Sequence, residues 1–588
     1  MSKYVFSFLV AVICGLIVFI GGALLVKANS QIAPDHAMLW GFLTAAVLYV
    51  LLLPTVFAKI KHICCDLDWA DECSKLYHRI PDYYRQSFWW LFFFINLAFL
   101  FHTINFMWGN EDWAAVRSAV DHGEGIAQGT FSVYWLQELL FDGKILPVAN
   151  NLWGFAGLSL AGVLLAIYWK LPEKKLPIVI TGLLFAVTPY TLSVLYFVKS
   201  SLGIMFLPAM VLTALILSQK HGKTDFYTYG YNMISILLFL WALGTYMPVI
   251  NFIAVAILGQ IFVKVVYAEI SFVDAARNVR QGLANFTAAL TIYWLILFLL
   301  HETHHLLPEH AAALSLTMPL WRLPAVIYQS FMQFAQPLPF MDISYKLMYG
   351  IFALIALGVL IFKASTAKVA ARGLVLILFL ILASVMALAF VANPYQNLVK
   401  MGFFGLPFLF ALLFVMVLRL GGPVVRRIGY VLAVLIIFMN FVRIAYAEKV
   451  WKFGWEAETK LAERIITRLE KMPEFDIDRQ YQLLQIGEKS LRAKYYRKGE
   501  YEITNGELLD RAYYPEGHAK DAYNFFYQTD FLSGDAQEEA LQNPEIRNYL
   551  LNQAKAWPAK EGLFIHGSYI VLVLDEVSLA MVQRYLEK

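Results

Sequence analysis

The feature that most limits what this chain can become is a succession of apolar windows, each long enough to cross about 30 Å of hydrocarbon as a helix. They fall near 5–26, 37–57, 88–107, 149–169, 177–197, 202–218, 231–246, 251–267, 285–301, 346–362, 373–391, 401–418 and 428–445. With 60% hydrophobic and only 15% charged residues over 588 positions, there is more apolar sequence than a soluble core requires. The expected fold is a polytopic α-helical membrane protein with about thirteen transmembrane helices. Met1–Val26 has a lone Lys3, a long apolar stretch and no convincing small-residue cleavage site, and is read as the first of these helices.

After Ala447 the apolar windows stop, and Glu, Lys, Arg, Asp and Tyr dominate to the end. The expected division is a membrane domain over 1–447, with long loops at 108–147 and 302–345, and a soluble α+β domain over 448–588. In the latter, Ala457, Leu461, Ile465 and Leu469 share one helical face, Tyr481–Ile486 and Tyr569–Leu574 read as strands, and Asp535–Gln542 and Asn543–Lys555 as helices.

Lys and Arg set the orientation, because cytoplasmic loops are enriched in them. Lys59, Lys61, Lys75, Arg79 and Arg85 share one loop, and Lys170, Lys174 and Lys175 another. Lys220 with Lys223, Arg277 with Arg280, Lys363 with Lys368 and Arg372, and Arg419 with Arg426 and Arg427 complete the series. All fall on one face if thirteen helices alternate, with the N-terminus cytoplasmic and both long loops and the C-terminal domain exported. Cys14 lies in a helix and Cys64, Cys65 and Cys73 in a cytoplasmic loop, so no exported loop carries a thiol to oxidise. A net charge of +4 without a basic, aromatic-interleaved patch excludes nucleic acid as a partner.

Glu111 and Asp112, between Trp108 and Trp113, stand just past the third apolar window. A carboxylate at the lip of a bilayer is partly desolvated and lies level with lipid headgroups, which suits a general base acting on a lipid-linked substrate. Asp112 is the first choice as base and Glu111 the second. The exported-side cations are Arg117, Lys199, Arg322 and Lys400, each suited to a phosphate or to snorkelling toward headgroups. Around the acids, Phe131, Tyr134, Trp135, Leu139 and Leu140 form an apolar stripe suited to the membrane surface.

Asn110, Glu111 and Asp112 followed by Arg117, Gly125, the aromatic stripe and Leu146–Pro147 resemble the serotype-converting bacterial and bacteriophage glucosyltransferases of the GT-C superfamily, which decorate O-antigen. Thr188–Tyr190 with Ser193–Lys199, and the tail ending in Gly567–Asp575, are similar too. The chain departs from the pattern at Ala127–Phe131, where relatives often carry Gly-Arg-aromatic. The resemblance implies a GT-C-like enzyme of the bacterial inner membrane, with a polyprenyl-phosphate sugar as donor and a surface glycan of the lipopolysaccharide type as acceptor. It further implies a functional link to a flippase and to a polyprenyl-phosphate glucose synthase. No cofactor is required by this reading, and a divalent metal is compatible with it.

Two other classes compete. His301, Glu302 and His305 match His-Glu-x-x-His, the pattern of a membrane zinc metalloprotease, although Asn393–Tyr395 lacks the Asp that intramembrane zinc proteases place after Asn-Pro. A non-catalytic lipid or glycan transporter would show internal repeats and mid-membrane charges, and neither is evident.

Overall fold

The structure is a computed structural model that describes residues 78–105, 120, 122–195, 198–220, 225–303, 324, 343–386, 404–487, 523–524, 527, 529, 531–532 and 536–587. The chain divides into two compact units, 1–85 with 122–124, and 86–121 with 125–588. In the first, the described stretch ends in an ion pair between Arg85 and Asp82.

The described part is mostly helical. Its helices are α1 (Asp82–Ala98), α2 (Leu100–Ile104), α3 (His122–Ala127), α4 (Trp135–Phe141), α5 (Pro147–Tyr168), α6 (Lys175–Ala186), α7 (Pro189–Leu195), α8 (Val198–Ser218), α9 (Asp225–Thr245), α10 (Val249–Tyr267), α11 (Phe272–Glu302), α12 (Ile343–Lys363), α13 (Ala367–Met386), α14 (Gly405–Leu420) and α15 (Pro423–Leu469). From 88 onward each expected apolar window lies on helix over its described residues, with breaks at Phe99 and at Val187–Thr188. The windows 5–26 and 37–57, and the four cysteines, lie outside the described residues.

Six of these segments are long and apolar enough to cross a bilayer: Pro147–Tyr168, Val198–Ser218, Val249–Tyr267, Phe272–Glu302, Ala367–Ser384 and Pro423–Lys449. Helix ends are marked by ordinary chemistry. Ser271 caps α11 by accepting from the Asp274 N–H at 3.1 Å, and Pro147 and Pro423 open α5 and α15, where a missing N–H goes unused. α8 and α10 are apolar all round and mostly buried, whereas α11, α13 and α15 turn Phe298, Phe379 and Phe438 outward, as helices bordering lipid do. Leu91 of α1 inserts between Gly162 of α5 and Gly182 of α6, whose Cα atoms approach closely for want of side chains.

α15 runs for 47 residues without a break across the compositional boundary at Ala447. Its polar end still has an apolar face, and Leu461, Ile465 and Leu469 are buried on it as the spacing requires. They cover one side of a four-stranded sheet of β1 (Tyr481–Ile486), β2 (Phe531–Leu532), β3 (Leu563–His566) and β4 (Tyr569–Val573), in the order β2-β1-β4-β3. β1 pairs in parallel with β2 and β4, and β3 and β4 form an antiparallel pair. Alternation sends Tyr481, Leu483, Ile570 and Leu572 toward α15, and Leu484, Ile486, Val571 and Val573 toward Ile546 and Leu579. Those last two lie on α17 (Pro544–Asn552) and α18 (Glu576–Leu586), with α16 (Ala536–Gln542) preceding them. The two expected strands and two expected helices are therefore present, and β2 and β3 are the strands the sequence pattern did not show.

Candidate functional site

The second half of the first long loop is fastened to the ends of several helices. Ser132 donates its N–H to the Gly244 carbonyl at 3.0 Å and its hydroxyl to the Trp241 carbonyl at 2.8 Å, both on α9. The Tyr293 hydroxyl of α11 donates to the Gly129 carbonyl at 3.2 Å. Gln137 on α4 and Asn150 on α5 exchange side-chain amide hydrogen bonds at 3.0 and 3.1 Å. A Cβ on Gly203 of α8 would come within 2.5 Å of the Val133 carbonyl, so only glycine lets the loop lie this close. The aromatic stripe divides accordingly. Phe131 stacks near Tyr293, Trp135 near Trp241, Tyr134 is buried, and Leu139 remains exposed.

These contacts bring together the start of α5, the start of α8 and the end of α9, which strict alternation places on one face. At the opposite ends, Arg419 of α14 donates to the Trp169 carbonyl just past α5 and stacks on Tyr267 of α10, again ends that alternation groups together.

On the loop side, α6 stops at Ala186 and the chain restarts as α7 at Pro189. The orphaned Val187 carbonyl accepts from the Asn440 side chain of α15 at 2.7 Å, and the same amide lies 3.3 Å from the Tyr349 hydroxyl of α12. Thr191 turns its hydroxyl back to the Ala186 carbonyl at 2.7 Å. The broken helix is thus satisfied by side chains at a depth where water is scarce.

Among the described residues, the buried Asp, Glu, Lys or Arg side chains are Lys199 and Glu448. Lys199 sits in the first turn of α8, four residues before the Gly203 contact with the loop. Glu448 is wholly enclosed and lies against the main chain of His102 on α2, and among the described residues no side chain pairs with its carboxylate. One turn further along α15, Lys452 donates to the Asn105 side chain, lies 3.8 Å from Glu456 and faces the Phe101 ring. α2 is the element that leads into the acidic loop, so this cluster stands at its root.

The chain matches no protein-family model, no curated protein and no solved structure. The site therefore stands on its own geometry. Of the residues expected from the sequence, Lys199 is placed as described, while Glu111, Asp112, Arg117, Arg322 and Lys400 lie outside the described residues. His301 and Glu302 are exposed at the last turn of α11, which ends there with Thr303 as its cap, and His305 lies outside the described residues. No group of three His, Cys, Asp or Glu suited to a metal occurs among the described residues. Sequence reasoning missed Glu448, His102 and Asn440. Each is a lone polar residue in or at the edge of an apolar window, and that isolation is the signal that was available.

Proposed function

We propose that this chain is an integral-membrane glycosyltransferase of GT-C type, multi-pass in a bacterial inner membrane, that moves a glucosyl group from polyprenyl phosphate to a surface glycan such as O-antigen. The observation that carries the reading is the placement of the two buried charged side chains, Lys199 in the first turn of α8 and Glu448 at the end of the apolar span of α15, against the described elements that flank the acidic loop. A buried carboxylate with no cation beside it among the described residues is costly, and a partner supplied by substrate or by the acidic loop accounts for it.

The orientation follows the positive-inside pattern, with the N-terminus cytoplasmic and the loops and 448–588 exported. Outside the cytoplasm a sugar must arrive on a lipid carrier, and a polyprenyl phosphate presents it at headgroup depth. Asp112, or Glu111, takes the proton of the acceptor hydroxyl as its oxygen attacks the anomeric carbon. The bond from that carbon to the phosphate oxygen breaks in the same step, the configuration inverts, and the polyprenyl phosphate leaves with the electron pair. Lys199, with Arg117, Arg322 or Lys400, neutralises the departing phosphate.

The test is surface-glycan composition and linkage in cells expressing wild type, Asp112→Asn, Glu111→Gln and His301→Ala at equal membrane levels. Hexose addition that either carboxamide abolishes and His301→Ala retains supports the transferase. Retention in both carboxamides, with loss of a chelator-sensitive activity in His301→Ala, overturns it in favour of a zinc enzyme.

A further inference from the structure

The opposite ends of the helices hold a second polar cluster, made of donors and cations. Arg419, at the last turn of α14, lies with its guanidinium 5.5 Å from the centre of the Tyr267 ring of α10. It donates through Nη2 to the carbonyls of Trp169, at 3.1 Å, and Lys170. Lys170 holds a left-handed backbone, with φ of 51°, that turns its carbonyl to this guanidinium. Lys264, one turn before Tyr267 in the last turn of α10, brings a third cation to the same helix ends. Three cations distant in sequence are thereby gathered from the ends of three elements.

No ion pair joins them to an acid among the described residues. The acids nearest in sequence, Glu173 and Glu269, are exposed and form no ion pair among the described residues. The orphan atoms point the same way. Arg419 Nε and the Tyr267 hydroxyl are buried without a hydrogen-bond partner among the described residues, and both can donate. Loops rich in Lys and Arg on one face are ordinary in membrane proteins. Convergence of these cations on unused buried donors is not explained by that bias, because like charges held together cost free energy unless an anion joins them.

We propose that Lys170, Lys264, Tyr267 and Arg419 form a binding site for a phosphate group, occupied in the membrane by the headgroup of an anionic phospholipid. A phosphate oxygen accepts from Arg419 Nε and the Tyr267 hydroxyl, and the two ammonium groups flank it. The site lies away from the acidic loop and does not depend on the glycosyltransferase reading.

The test is native mass spectrometry of the full-length protein released from nanodiscs of mixed phosphatidylglycerol and phosphatidylcholine. Wild type is expected to retain phosphatidylglycerol selectively, and retention is expected to fall by about fivefold for each charge removed in Lys170→Gln, Lys264→Gln and the double variant. Tyr267→Phe lowers it with the charges intact. Arg277→Gln with Arg280→Gln, which removes two charges from the first turns of α11, leaves retention unchanged. Equal loss in that control, or wild-type retention in the double variant, overturns the proposal. Displacement of phosphatidylglycerol by millimolar inorganic phosphate assigns the same site to a free phosphate and overturns the lipid assignment.

Discussion

Asn440 donates its side-chain amide to the Val187 carbonyl at 2.7 Å, across 253 positions of sequence, where α6 has stopped and α7 has not begun. A helix that breaks inside apolar surroundings leaves carbonyls that water cannot reach, and a carboxamide from the neighbouring helix takes that role here.

Asn440→Ala is therefore expected to lower stability by about 1–3 kcal/mol, because it strands a buried carbonyl. Asn440→Gln restores the amide but adds a methylene and recovers only part of the loss. Thermal unfolding in detergent, followed for all three proteins, checks the order. A melt for Asn440→Ala equal to wild type would show that the break needs no partner.

Glu448 is enclosed, and among the described residues no side chain pairs with its carboxylate. Glu448→Leu is expected to stabilise the fold by about 1–3 kcal/mol, since it removes an unsatisfied polar group. Under the proposed function the same change lowers sugar transfer by about tenfold or more. Melting temperature and glycan analysis on one preparation separate the effects, and a stabilised variant with full activity would remove Glu448 from the site.

Gly203 lets the Val133 carbonyl approach α8, and Val in its place is expected to push the loop away at a cost of about 1–3 kcal/mol. Limited proteolysis after Lys144 should quicken in Gly203→Val while α8 itself stays protected.

In the C-terminal part, Gly487 has φ of 77°, and a Cβ there would fall inside the Asp575 carboxylate that caps α18 through the Ser578 N–H at 2.8 Å. Gly487→Ala should cost about 2–4 kcal/mol from clash and backbone strain together. In an Asp575→Ala background, which alone costs about 1 kcal/mol of capping, the same substitution should cost less, about 1–2 kcal/mol, from the strain and the remaining contact with Ser578 Cβ. Equal penalties in the two backgrounds would show that the carboxylate is not what glycine accommodates.

The Tyr527 hydroxyl donates to the Thr459 carbonyl at 3.0 Å, and burial, helped by the charge of Glu463, pushes its pKa up to about 12. The fold favours the protonated phenol, so its contribution is complete below the unfolded value of about 10 and is lost as pH rises toward 12. Stability should fall through that window in wild type and fall less in Tyr527→Phe, as measured by denaturant unfolding at stepped pH.

The positions of the helices were legible because apolar runs of bilayer length have few other uses, and α8, α10 and α11 lie where their windows do. Leu461, Ile465 and Leu469 were legible as a buried face because a period of 3.6 residues survives even where the chain turns polar. β3 was not, since Leu563–His566 is four residues long and takes its register only from β4. The limits of α15 were not either. The break in composition at Ala447 marks a change of surroundings, and a helix whose hydrogen bonds are all local passes through such a change without interruption.

The sequence by itself determined which segments are helical and apolar, because those properties depend on neighbours three or four residues away. Only the tertiary structure decided that Asn440 meets Val187, that Glu448 is sealed against His102, and that Arg419, Lys264 and Lys170 converge. A lone polar residue in an apolar run has no periodicity to betray its partner, and that partner is set by how helices distant in sequence pack.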